Sequence, residues 1–224
     1  MQQLKETKHS RTQFQIDRIA FFSDAVIAIA ITLMILEIKI PELGKDVTFS
    51  QILKQYTEGI VLHILALLIG FFAIGNLWIR HHELFEHITN YNKKLVKFNL
   101  YFLFTVMLLP ITISFLFTKN EPPQLQKLFY FFNLFLCSLS YSLILVVIFH
   151  KKNNFSMLTD KREINKMKIS ALAGTIVLFL VVIFVIFAEK WFYVPFVLVP
   201  IARFISKKIA KASERKIKPV IHKE

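Results

Sequence analysis

The stretch Arg18-Ile19-Ala20-Phe21-Phe22-Ser23-Asp24-Ala25-Val26-Ile27-Ala28-Ile29-Ala30-Ile31-Thr32-Leu33-Met34-Ile35-Leu36 sets two opposite charges at one end of a run that is otherwise nearly all apolar. A hydrocarbon core of ~30 Å takes about 20 helical residues to cross, so the run reads as a membrane-spanning helix over residues 19–38. Polar and charged residues precede it and no small-residue cleavage site follows. It is therefore expected to stay in the mature chain rather than leave as a signal peptide.

Working outward, five further stretches carry almost no charge over comparable lengths, at residues 59–79, 98–117, 127–149, 169–188 and 191–206. The composition agrees. Of 224 residues 55% are hydrophobic, with 24 phenylalanines and five glycines, which excludes collagen-like, disordered and disulfide-scaffold classes. The expected fold is all-α: a six-span membrane domain over 19–206, between a basic N-terminal segment, 1–18, and a basic tail, 207–224. The one cysteine, Cys137, lies in an apolar stretch and reads as a small core residue.

Lysine and arginine number 28 against 15 acids, a net charge of +13. They are distributed unevenly: alternate connections hold 22 and 6 of them. By the positive-inside rule both termini are expected in the cytoplasm of a cell-membrane protein. Only an even number of spans yields that split, so the short stretch with Pro195 and Pro200 is expected to cross. The basic tail from Arg203 to Lys218 sits beside a span, where anionic lipid rather than nucleic acid is the expected partner.

The longest connection, residues 150–168, is too short and polar to fold with a core of its own, so function must reside in the membrane or at its faces. Pro110 should kink the third span, and Pro122-Pro123 enforce an extended turn. No nucleophile elbow, phosphate-cradling glycine loop or Cys-x-x-Cys pair occurs. Neither an enzyme nor a cofactor is expected. His81-His82-Glu83-Leu84-Phe85-Glu86-His87 gathers metal-ligating residue types, but its intervals match neither His-Glu-x-x-His nor His-x-x-Glu-His, so it reads as a juxtamembrane helix end. On the fourth span Asn133, Cys137 and Ser140 share a face, which suits either helix–helix bonding or a transport path.

An ionisable side chain within a span costs ~3 kcal/mol or more, so Asp24 is the leading functional candidate. Arg18 lies six residues earlier and therefore about 240° around the helix, too far round to pair with it. Partners must come from another helix. Asn76, Trp78, His81 and His82 reach a matching depth on the second span, which makes a buried polar network one reading. Ser23 or Asp24 capping a helix that starts there is the other.

Beyond Asp24 the discriminating residue is Thr32. Ile29, Thr32, Leu33 and Leu36 fall at i, i+3, i+4 and i+7 on one stripe, about 180° from Ser23. Repeated around a symmetry axis, the stripe would make a narrow apolar conduit with a ring of hydroxyls. Ordinary helix packing, with the threonine bonded to its own backbone, is the alternative.

Arg18-x-x-x-Phe22-Ser23-Asp24, with the continuation Ala28 to Ile38, resembles the bacterial branch of the transmembrane protein 175 potassium-channel family, and Trp78-x-x-His81-His82 fits it too. The resemblance implies a homotetramer whose first helices line a central pore. It implies Ile29 as the main hydrophobic constriction, Leu33 and Leu36 as further apolar gate layers, and Thr32 as the hydroxyl ring of potassium preference. Arg18, Phe22, Ser23 and Asp24 would join Trp78 and one of His81 and His82 in a network fixing the pore helix, with Asn76 included for its depth. The implied activity is passive, potassium-preferring cation conduction, with no metal beyond the permeating ion. A secondary carrier and a proton-permeable leak through the same pore are the alternatives.

Overall fold

A computed structural model describes residues 2–37, 48–116, 123–150, 153, 155–158, 160–187 and 208. The helices are α1 (Gln2–Leu33, tightening into a 3₁₀ turn over Met34–Glu37), α2 (Phe49–Phe85), α3 (Lys93–Met107), α4 (Leu109–Leu116), α5 (Pro123–Ile148) and α6 (Lys161–Phe187). With α3 and α4 acting as one broken span, five stretches are long and apolar enough to cross a membrane: Arg11–Leu36, Ile64–Phe85, Lys93–Leu116, Gln124–Ile148 and Lys161–Phe187. The expected sixth stretch, 191–206, and the tail, apart from Lys208, lie outside the described residues.

Two helices run past the expected edges of their spans. Residues 2–18 belong to the same unbroken 32-residue helix as the apolar run that follows, ~48 Å long in all. Backbone hydrogen bonding needs no apolar side chains, so the edge of an apolar run marks the edge of the bilayer core and not the end of a helix. For the same reason α2 runs on to Phe85, past the expected edge at 79, and takes Trp78, His81 and His82 into its interior. The capping alternative falls with this: Ser23 sits mid-helix, its Oγ donating to the Ile19 carbonyl at 2.8 Å.

The break at Pro110 has a definite construction. Proline lacks an N–H and its ring crowds the carbonyl four residues back. Accordingly α3 ends at Met107 and Leu108 donates its N–H to Phe104 at 3.3 Å before α4 begins. Asn133 of α5 spans the gap. With its amide oriented as its neighbours require, Nδ2 donates to the Thr105 carbonyl (3.0 Å) while Oδ1 accepts from the Leu109 N–H (3.2 Å) and Thr112 Oγ1 (3.3 Å). A straight helix would join Thr105 and Leu109 to each other, and in lipid the freed groups need another partner.

Helices α5 and α6 form the tightest pair. Thr175 Oγ1 lies 2.9 Å from both Ser138 Oγ and Ser142 Oγ and donates to the Ala171 carbonyl at 3.0 Å. Small hydroxyl residues of this kind let transmembrane helices approach and bond. Gln124, in the first turn of α5, caps the end of α6 by donating to the carbonyls of Val185 (3.2 Å) and Ile186 (2.9 Å).

Against this pair pack α3 and α4, with Phe102, Val106, Leu109 and Ile113 buried toward Phe131, Ile144 and Leu145 of α5. Helix α1 lies beyond, against α2, α3 and α4. Gly70 of α2 marks a close approach there, since a Cβ would overlap the side-chain ends of Met34 and Ile113.

At one face the connections clasp each other. Thr89 donates its N–H to the Phe155 carbonyl at 2.8 Å and Met157 to the His87 carbonyl at 3.0 Å, an antiparallel pairing of the α2–α3 and α5–α6 connections. Residues 155–157 of the connection before α6 are thus tied to the α2–α3 connection.

Candidate functional site

The middle of α1, around Ser23 and Asp24, and the last turns of α2 meet the first half of α3 in a polar junction. Asn92 caps the start of α3, its side chain accepting from the Leu95 N–H, and Asn99 follows in the second turn. Asn99 Nδ2 donates to Ser23 Oγ and Asn99 Oδ1 lies 2.8 Å from His81 Nε2. Because the amide nitrogen is spent on Ser23, its oxygen is the acceptor and His81 carries a proton on Nε2. Ser23 Oγ in turn donates to the Ile19 carbonyl, so the chain His81–Asn99–Ser23–Ile19 leaves no buried side-chain polar atom without a partner among the described residues. Ser23, His81 and Asn99 are each almost wholly buried.

The His81 ring is held between Phe85 (centroids 4.2 Å apart) and Phe102 (5.2 Å), nearly parallel to both. One helical turn away, Trp78 Nε1 donates to Asp24 Oδ1 at 2.8 Å and its ring stacks on His82 at 5.5 Å. The junction therefore has a buried layer, Ser23–Asn99–His81, and an outer layer, Asp24–Trp78–His82. Together they join three helices.

Three residues expected in this network lie outside it. Arg18 is exposed and has no polar partner among the described residues, because ~240° of helix rotation turns it away from Asp24. Phe22 is 52% exposed on the same outward side. Asn76 bonds only to the Phe72 carbonyl of its own helix at 2.8 Å, sitting ~140° around α2 from His81. Asn99 is the member that reading the sequence missed. Its signal was available: it is the one amide in the third apolar stretch, at the depth of Ser23.

The other side of α1 is bare. Ile16, Ser23, Ile27, Ala30 and Met34 are buried, spaced as one helical stripe. On the opposite side Ile29 (56% exposed), Leu33 (41%) and Leu36 (74%) stand outside the chain's own buried core, and Thr32 is exposed among them. Thr32 Oγ1 donates to the Ile29 carbonyl at 2.9 Å. Its proton is thereby occupied and its oxygen lone pairs remain free to accept. Among the described residues, no three His, Cys, Asp or Glu side chains converge as a metal site would need.

These features define a polytopic α-helical membrane protein whose first helix is braced on one side by polar bonds and left open on the other. Residues 18–110 match the sequence model of the family described as "Endosomal/lysosomal potassium channel TMEM175". That segment holds α1 from Arg18 onward, the whole of α2 and α3, and every residue of the junction. A potassium channel of Chryseobacterium sp. (strain P1-3) is 34% identical over 103 residues, 46% of this chain and 50% of that protein. The endosomal/lysosomal proton channel TMEM175 of Rattus norvegicus is 29% identical over 106 residues, 47% of this chain and 21% of that one. The chain thus spans about half the length of the bacterial relative and about a fifth of the rat one.

In three dimensions the chain resembles the lysosomal potassium-selective channel TMEM175 homolog from Chamaesiphon minutus, with a TM-score of 0.64 and 19% identity over 90% of this chain and 97% of that one. The resemblance drawn from Arg18, Phe22, Ser23 and Asp24 is therefore found in the sequence of the first half and in the fold of nearly the whole. The matched family is one of ion channels and not of enzymes.

Proposed function

We propose that the protein is a passive, potassium-preferring cation channel in which four copies place the exposed stripe of α1 around a common axis. The observation that carries this reading is the division of α1 into a buried stripe through Ser23, Ile27, Ala30 and Met34 and a bare stripe through Ile29, Thr32 and Leu36. Large apolar residues interrupted by one hydroxyl make up this stripe, which the chain's own core leaves exposed. Around an axis it supplies what a conduit needs. Ile29 forms the tightest layer and excludes water when closed, with Leu33 and Leu36 as further apolar layers. Thr32 offers a ring of oxygens whose protons are already donated to Ile29, so their lone pairs replace part of an ion's hydration shell.

In this reading the junction is the brace. Ser23, Asp24, Asn99, Trp78 and His81 fix the rotation of α1 about its own axis, and rotation decides whether Ile29 or Ile27 faces the pore. A helix turned by one residue would present a different stripe altogether. The names borne by the bacterial relative and the Chamaesiphon structure support potassium as the ion.

Purified protein in liposomes with an outward potassium gradient tests the proposal. Rapid, non-saturating potassium flux is expected. Slow, saturating exchange would assign a carrier instead, and silence would remove transport altogether. Proton permeation is a second reading, favoured by the name of the rat relative. A tight apolar layer can pass a wire of water molecules while a hydrated ion is held back. A pH-sensitive dye inside the same liposomes separates it: acidification or alkalinisation that follows an imposed voltage without potassium marks a proton path.

A further inference from the structure

Between Arg11 and Asp24, helix α1 sorts its charges by side. Arg11 and Arg18 are both exposed, and neither has a polar partner among the described residues. They lie seven residues apart, ~10 Å along the axis, and fall within about 20° of Ile29 around the helix, the nearer one ~16 Å below it. The acids of the same helical segment point elsewhere. Asp17 is about 120° and Asp24 about 140° from Ile29, and each accepts a bond from another side chain, Gln13 Nε2 at 3.0 Å and Trp78 Nε1 at 2.8 Å. Since α1 is unbroken from Gln2 to Leu33, the bare stripe that carries Ile29 and Thr32 continues directly into these two arginines.

Resting on the reading of α1 as the pore helix, we propose that Arg11 and Arg18 of the four copies form two stacked rings of positive charge around the N-terminal entrance of the conduit. The collar depletes cations at that mouth, so flux entering from the N-terminal side is restrained more than flux entering from the other. It makes the two arginines determinants of rectification, a role distinct from the polar junction. Neutralisation by Asp17 and Asp24 is weak, because both lie about 120–140° around the helix from Ile29 and each already accepts a side-chain bond.

Electrostatic depletion carries a salt signature that a packing role does not. The reach of a charge is ~30 Å at 0.01 M salt and ~3 Å at 1 M. Currents are to be recorded from tetramers of the full chain in planar bilayers, in symmetrical KCl at about 0.01 M and about 1 M. In Arg11→Gln/Arg18→Gln, current entering from the N-terminal side at low salt should rise several-fold over the unsubstituted channel and the two should converge at high salt. Arg11→Lys/Arg18→Lys, which keeps the charge, should keep the original rectification. Unchanged low-salt currents in the glutamine variant, or a change equal at both salt concentrations, overturns the collar. Ile29→Asn in the same bilayers separates the two levels of the argument. If it raises conductance while the arginine variants do nothing, the collar alone falls; if it too does nothing, the pore reading falls with it.

Discussion

Helices α1 and α5 are both apolar and both cross the membrane, yet they are used oppositely. Across its apolar window 22% of α1 is buried, against 61% of α5. Helix α5 touches α3, α4 and α6 and uses its polar residues inside the subunit: Asn133 at the Pro110 break, Ser138 and Ser142 on Thr175. Helix α1 uses Ser23 and Asp24 inside and leaves Thr32 outside. The lesson is that a hydroxyl in a span means different things according to what covers it. On α5 it joins helices, whereas on α1 Thr32 bonds only to its own helix among the described residues and is left exposed. A stripe that packs nothing within the subunit is the place to look for other copies and for ions.

This contrast can be broken or sharpened by substitution. The largest effect is expected from Asn99→Leu, which orphans the buried Nε2–H of His81 and unties α1 from α3. An unsatisfied buried polar group costs about 1–3 kcal/mol, so thermal stability in detergent should fall clearly and tetramers should be lost on size exclusion. Normal tetramers of normal stability would show that the junction is not what holds α1 in place.

Ile29→Asn comes next. It should leave assembly intact and raise conductance about tenfold, the change that ~1.4 kcal/mol off a barrier provides. Thr32→Val keeps the shape and removes the oxygen, and should lower the potassium-to-sodium permeability ratio a few-fold by reversal potential while expression is unchanged. Thr175→Val sits at the bottom of the scale. It removes one node of the α5–α6 hydroxyl cluster, and bonds between transmembrane helices average ~0.6 kcal/mol, so a small loss of stability with unaltered permeation is expected. Altered selectivity in Thr175→Val would move the ion path to α5 and reverse the comparison.

Much of this could be read from the chain before any coordinates. Five of the spans announce themselves as uncharged runs, because a bilayer cannot hydrate charge and the cost is levied residue by residue. Pro110 announces its kink because a missing N–H is a local property. Ser23, Asp24 and Trp78 were legible as polar groups at matched depth, and Ile29, Thr32, Leu33 and Leu36 as a stripe, because spacing along a helix converts directly into angle.

Partnership was not legible. Near-uniform hydrophobicity from Ala25 to Leu36 conceals which side of α1 is covered, since lipid and protein interior both accept isoleucine. Asn99 escaped notice because its pairing with Ser23 spans 76 residues of sequence, and no local rule connects them. Placing His81 in the buried layer and His82 in the outer one, excluding Arg18 from the junction and assigning Asn133 to the Pro110 break all depended on the rotation of one helix against another. Rotation is set by the sum of many side-chain contacts across helices, a quantity that the order of residues along any single span does not contain.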